Sequence, residues 1–125
     1  MPRITVYAAA AVCLFASTLR AAEAFELKNG DRVVFVGDGP NYATALFSAA
    51  KVIESAGRHA MGQDTEEWAH LQYFVNTDPS TPTFMISPGE RGHSRAAELA
   101  AMMKQVGRTV VGVVPAGEEE ITKIS

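Results

Sequence analysis

The chain has 125 residues, of which 47% are hydrophobic, and its formal net charge is −3. This length suits one domain, and the apolar fraction is high enough for a core, so extended disorder is not expected. The acidic balance argues against nucleic-acid binding. A single cysteine, Cys13, excludes an internal disulfide framework and fits a reducing cytoplasm. The three histidines lack metal-ligand spacing, so no metal is predicted.

The first 30 residues allow two interpretations. An apolar stretch at 4–16, followed by the small-residue pattern Ala22-Glu23-Ala24, is compatible with a signal peptide and an exported protein. The alternative is one long helix, because apolar residues continue at helical spacing as far as Phe25 and the pattern stops at Gly30. We favour the helix. The apolar run is too short to span a membrane, so no membrane association is predicted.

After Gly30 the chain alternates between β-branched apolar stretches and amphipathic ones. The pattern predicts strands at residues 32–36, 59–63, 83–86 and 109–114. It predicts helices at about residues 41–56, 65–74 and 94–106, and residues 118–123 could begin one more. This order predicts an α/β fold with a parallel sheet and helices on both faces. The pattern stops short of a complete doubly wound domain, so an open edge strand is expected, which favours pairing with another chain.

The turn Gly37-Asp38-Gly39-Pro40 joins the first strand to its helix. A dinucleotide fingerprint would have a third glycine where Tyr42 stands, so no nicotinamide or flavin cofactor is predicted. The glycines either make a tight turn only, or they let backbone N–H groups contact a phosphate or sugar with help from Asn41. Ser87, which follows the third strand, could contact the same ligand.

Two pairs of side chains, Lys51 with Glu54 and Glu67 with His70, each share one face of a predicted helix. Lys51 and Glu54 lie three residues apart, and they form either a solvated ion pair or a site in which Glu54 is a general base. We expect Glu54 to face the same hollow as the glycine turn. On the next helix Asp64 is predicted to be the N-cap, with Glu67 reaching back to it. His70 is either structural or functional.

These residues together resemble a known family. The run VFVGDGPNYATALFSAAKVIESAGRHAMGQDTEEWAH resembles the sugar isomerase (SIS) domain, and it is similar to the second SIS domain of glucosamine-6-phosphate synthase and of fructosamine deglycase-type proteins. The motif residues are Lys51 to Glu54, His59-Ala60 and Glu67 to His70, at the family's spacing. The resemblance covers about residues 32–115. Residues 1–30 resemble the connector that precedes this domain, so the domain itself would span 31–125.

The resemblance implies a flavodoxin-like, three-layer αβα fold and a phosphosugar ligand. It implies aldose–ketose isomerisation in which Glu54 shuttles a proton, Lys51 assists and His70 helps to open the sugar ring. Substrate contacts are implied at the turn and strand-end residues Gly37, Gly39, Asn41 and Ser87. It also implies a cytoplasmic protein that acts as a homo-dimer or with a partner SIS domain.

The chain also departs from the family pattern. Leu71-Gln72 replace the usual Gly-Pro after the histidine, Asn41 replaces a serine, and the phosphate loop is reduced to Ser87-Pro88-Gly89-Glu90. These departures suit a partial domain that lends catalytic groups while another SIS domain grips the phosphate. They leave open a non-catalytic module that binds a phosphosugar or serves assembly.

Overall fold

The computed structural model describes residues 32–75 and 81–115, so the predicted N-terminal helix and the predicted helix near the end of the sequence lie outside the described residues. Within them, the strands are β1 (Arg32–Gly37), β2 (His59–Asp64), β3 (Pro82–Ile86) and β4 (Thr109–Val113). The α-helices are α1 (Pro40–Ala56), α2 (Thr65–His70) and α3 (His93–Gln105). Two short 3₁₀ segments occupy Gln72–Phe74 and Glu90–Gly92.

The four strands form one parallel sheet in the order β2-β1-β3-β4. The predicted α/β fold and the predicted strands are therefore confirmed. The central strands β1 and β3 are mainly apolar on both faces, although Thr83 is buried, and this is typical of strands covered on both sides. Among the described residues, β2 and β4 each pair with a single neighbour, so both edges of this part of the sheet are open.

Helices cover both faces of the sheet. On one face, α2 and α3 pack on β1 and β3 around a core of Val34, Val36, Trp68, Met85, Ala96, Leu99, Ala100 and Met103. The other face carries Val33, Phe35 and Phe84, and the Phe35 and Phe84 rings stack with centroids 5.0 Å apart. Helix α1 lies on this second face, because a side chain at Gly62, the register partner of Phe35, would meet its Leu46 backbone. The predicted three layers are present.

The second helix is shorter than predicted. It ends at His70, and the segment to Phe74 is 3₁₀ instead of a continuation of the α-helix. The Arg108 guanidinium donates to the carbonyl oxygens of Gln72 and Val75, at 3.4 and 2.8 Å. These two carbonyl oxygens accept hydrogen bonds from a residue more than 30 positions further along the chain. A local helical pattern in the sequence cannot reveal such a contact.

The predicted N-cap of α2 is confirmed, but the bond pattern differs from the predicted one. Asp64 Oδ1 accepts from the Glu66 N–H at 2.9 Å. Among the described hydrogen bonds, none returns from the Glu67 side chain to Asp64, so the reciprocal part of the predicted cap is wrong.

Within the described ranges, no helix combines the length and apolarity that a membrane span requires.

Candidate functional site

The carboxyl ends of β1 and β3 lie at the topological switch point of the sheet, and we call the region outside them the crevice. The chain leaves β1 for one side of the sheet through α1, and it leaves β3 for the other side through α3. Ligands of open α/β sheets bind at such a switch point. The predicted substrate residues Gly37, Gly39 and Asn41 follow β1, and Ser87 follows Ile86, the register partner of Gly37. The structure therefore brings these four residues to one edge.

The glycines of this turn are explained by backbone geometry. A side chain at Gly37 would stand 2.5 Å from the Asn41 carbonyl oxygen, and Gly39 has a φ of 47°, which disfavours other residues. The Asn41 N–H donates to the Asp38 carbonyl at 2.8 Å, and the Tyr42 N–H donates to the Gly39 carbonyl at 3.1 Å. Because these two donors are used within the turn, they are not available to cradle an anion.

Ser87 is a buried residue at the end of β3. It is 2% exposed, and its N–H donates to the Val113 carbonyl at 3.0 Å, which extends the ladder between β3 and β4. Its backbone is therefore fixed by the sheet. A ligand at the crevice would meet a rigid wall here and not a mobile phosphate loop.

Asp38 is a crevice residue that the sequence did not single out. Its carboxylate accepts from Asn41 Nδ2 at 3.4 Å, and a side chain at Gly92 would stand 1.9 Å from its Oδ2 atom. The carboxylate thus lies between the β1 turn and the start of α3, where the helix dipole favours negative charge. Its negative charge repels a phosphate in this crevice, whereas its oxygen atoms can accept hydrogen bonds from sugar hydroxyls. An acid inside a glycine turn at a strand's end was the available sequence signal.

Gln63 Oε1 and Trp68 Nε1 are buried polar atoms that have no hydrogen-bond partner among the described residues. Gln63 is the register partner of Val36, one residue before the end of β1, and Trp68 is fully buried in the core beside α3. Buried polar groups are normally paired, so these atoms hold hydrogen-bonding capacity that a ligand or water could use. For Gln63, the sequence signal was a glutamine inside a predicted strand.

Lys51 and Glu54 lie at the opposite edge of the sheet from the crevice. Helix α1 begins at the carboxyl edge and runs back to the amino edge, and from Asn41 to Glu54 it advances about 20 Å. The two side chains form an ion pair, Lys51 Nζ to Glu54 Oε2 at 2.5 Å, and they are 45% and 69% exposed. The expectation that Glu54 faces the same hollow as the glycine turn is therefore wrong.

His70 is exposed at the end of α2. A charged residue near it is Glu66 of the same helix. Arg95 forms a bidentate pair with Glu66, at 2.7 and 2.9 Å, and also contacts Glu98. The Arg95 hydrogen bond holds the pKa of Glu66 below its ordinary value of 4.5, with a smaller contribution from the nearby His70. Among the described contacts, none joins His70 to Lys51 or Glu54. The three predicted catalytic residues are not assembled within this chain.

No group of three or more His, Cys, Asp or Glu residues in the described part of the chain could hold a metal ion.

Comparison with known families decides what kind of domain this is. The SIS domain family model matches residues 26–123, which is most of the chain. The chain belongs to the SIS domain family. The fold described above agrees with this assignment, and membership makes the chain a phosphosugar-binding module in the general sense. No curated protein matches the chain.

Proposed function

We propose that this SIS domain lends catalytic groups to a sugar-phosphate isomerase or deglycase whose active site is completed by another SIS domain. In this proposal it corresponds to the second SIS domain of glucosamine-6-phosphate synthase or of a fructosamine deglycase, and it works in the cytoplasm. The completing domain is a partner SIS domain or a second copy of the chain.

The observation that carries the proposal is the position of the Lys51–Glu54 pair. Both side chains are substantially exposed, and they lie about 20 Å along α1 from the glycine turn of their own sheet. A base at this distance cannot reach a sugar held in this chain's own crevice. It is available to a ligand presented by another domain that packs against the end of α1.

The chemistry asked of this pair is proton transfer. The Glu54 carboxylate removes the proton from the sugar carbon next to the carbonyl and returns it to the former carbonyl carbon, while the hydroxyl proton of the first carbon passes to the former carbonyl oxygen. Aldose and ketose thus interconvert without an oxidant or reductant. The Lys51 ammonium stabilises the negative charge that develops on the carbonyl oxygen. His70 protonates the ring oxygen as its bond to the anomeric carbon breaks, and it takes up the proton that the anomeric hydroxyl loses on becoming the carbonyl.

The crevice of this chain has a different part in the proposal. Asp38, Asn41 and Ser87 contact hydroxyl groups of a sugar other than the one on which this chain's Glu54 acts, and Gly37 and Gly39 allow close approach of that sugar to the backbone. The phosphate is held by the other domain, because the Asp38 carboxylate beside α3 repels a phosphate. The reduced loop after β3, Ser87-Pro88-Gly89-Glu90, also favours a phosphate that is held by the other domain.

A turnover assay tests the proposal. The full chain is incubated with fructose-6-phosphate, glucosamine-6-phosphate or a fructosamine-6-phosphate, alone and mixed with the first SIS domain of a glucosamine-6-phosphate synthase. We expect turnover in the mixture and its loss by at least a hundredfold in Glu54→Gln, because the base is removed.

Glu98→Gln is the matched control. Glu98 and Arg95 form an ion pair on α3 with the same spacing, and their side chains are 65% and 43% exposed, close to the values for Glu54 and Lys51. This variant should retain full turnover. Equal losses in both variants, or no turnover in any mixture, would contradict the catalytic proposal.

The second candidate is a non-catalytic phosphosugar-binding or assembly module. The observation that favours it is that Lys51, Glu54 and His70 are not gathered around a common cavity in the described residues. Calorimetric binding of a phosphosugar without turnover in any mixture would favour this candidate.

A further inference from the structure

A cavity lies at the amino edge of the sheet, at the opposite ends of the strands from the crevice. Its volume is about 470 Å³, which is within the range of small-molecule sites. Arg32 and His59, which line it, are the first residues of β1 and β2, and Thr81 and Arg108 directly precede β3 and β4. The cavity is therefore built from the starts of all four strands.

The described lining of this cavity is basic. Arg32 and His59 are register partners on adjacent parallel strands, so their side chains start on the same face about 4.8 Å apart. Neither one forms an ion pair within the described part of the chain. The ten described lining residues include no aspartate or glutamate, although the chain as a whole has a net charge of −3.

Arg108 adds a fixed positive charge to the wall. It is 6% exposed, and its guanidinium is held in place by the Gln72 and Val75 carbonyls. Its hydrogen bonds to those carbonyls give Arg108 a structural role, which explains why an arginine occupies this position. It does not account for Arg32 and His59, which are exposed at the mouth of the same cavity.

We propose that this cavity binds a small organic oxyanion, a phosphate ester or a carboxylate. Arg32 and His59 supply charge-assisted hydrogen bonds to the anion, and Arg108 forms part of the wall behind them. Val34 and Met61 provide apolar wall for the body of the ligand. The site lies at the other edge of the sheet from the sugar crevice, which is also the edge where Lys51 and Glu54 lie, and its test reads anion binding and not turnover.

The test is an NMR titration of the full ¹⁵N-labelled chain with inorganic phosphate and with succinate, and with glycerol as the neutral control. We expect the amide signals of Val33, Ala60 and Met61 to shift with at least one anion and not with glycerol. The anion that binds more tightly assigns the ligand class. Shifts confined to Gly39, Asn41 and Ser87, or no shifts up to 20-fold molar excess over the protein, would overturn the proposal.

Variants separate a specific site from general attraction. The double variant Arg32→Gln/His59→Gln changes two exposed side chains and should weaken the amino-edge binding at least tenfold. Arg32→Lys keeps the charge and should recover part of it. Arg95→Gln removes an exposed arginine elsewhere and should leave binding unchanged. Equal weakening in the Arg95 variant would show non-specific attraction and overturn the proposal. Loss of phosphosugar turnover has no bearing on this readout.

Discussion

Gly62 lies on β2 at the point where α1 crosses the sheet, and it has no room for a side chain. A methyl group there would stand 2.6 Å from both the Cα and the backbone nitrogen of Leu46. Backbone atoms of a helix cannot move aside as the end of a flexible side chain can. Residue 62 therefore sets how closely α1 approaches the sheet, and with it the position of the Lys51–Glu54 pair.

We predict that Gly62→Ala lowers the free energy of unfolding by about 1–3 kcal/mol, because α1 must shift away from β2. Urea unfolding of the full chain measures this. Gly57→Ala is the matched control, since that glycine faces open space and has a φ of 59°. Its cost should be limited to the left-handed backbone, about 1 kcal/mol. A loss for Gly62→Ala no larger than that for Gly57→Ala would show that α1 can adjust.

At the scale of elements, α2 and α3 are joined by one charged contact. The guanidinium of Arg95 in α3 donates two hydrogen bonds to the carboxylate of Glu66 in the first turn of α2. Helix α2 has six residues, too few for a stable isolated helix, so it depends on contacts of this kind and on the burial of Trp68.

We predict that an NMR titration finds the pKa of Glu66 below 4.5 in the wild-type chain and close to 4.5 in Arg95→Gln. A carboxyl group whose pKa is depressed on folding stabilises the fold above its unfolded pKa. That contribution is lost as the pH falls through the folded pKa. Urea unfolding at pH 7 should therefore show wild type to be more stable than Arg95→Gln, and the difference should shrink at pH 3. A difference that persists unchanged in acid would point to packing instead of charge.

At the scale of the whole molecule, the described residues leave apolar surface and strand edges uncovered. Helix α1 exposes Leu46, Phe47 and Ile53, and Phe47 is 57% exposed. Strands β2 and β4 each have one unpaired edge among the described residues. Exposed apolar side chains and open strand edges of this kind favour association with another protein or another copy.

We predict that the chain self-associates in solution and that Phe47→Glu weakens this association, because it places a charge on the apolar side of α1. Sedimentation velocity over a range of concentrations measures the effect. Phe74→Glu is the matched control, since Phe74 is 73% exposed but lies outside α1. A stable monomer at all concentrations would contradict the prediction, and equal effects of both variants would show that α1 is not the contact.

The sequence by itself determined the order of elements and the parallel sheet. A continuous apolar stretch such as Val33 to Val36 is typical of a strand buried on both faces, and Asp64 marked a helix start by its local capping chemistry. The run from the first strand to His70, with its segments Lys51 to Glu54, His59-Ala60 and Glu67 to His70 at joint spacing, also suggested the SIS family that the comparison then established. Each of these features depends on residues close together in the chain.

Tertiary structure alone decided which residues share a site. The direction of α1 separates Glu54 from the glycine turn, and the early end of α2 is accompanied by hydrogen bonds from Arg108, far away in sequence. The position of Asp38 against Gly92 and the basic cavity formed by four strand starts also join distant segments. Local patterns encode backbone preferences, whereas the meeting of distant side chains depends on how helices cross and cover the sheet.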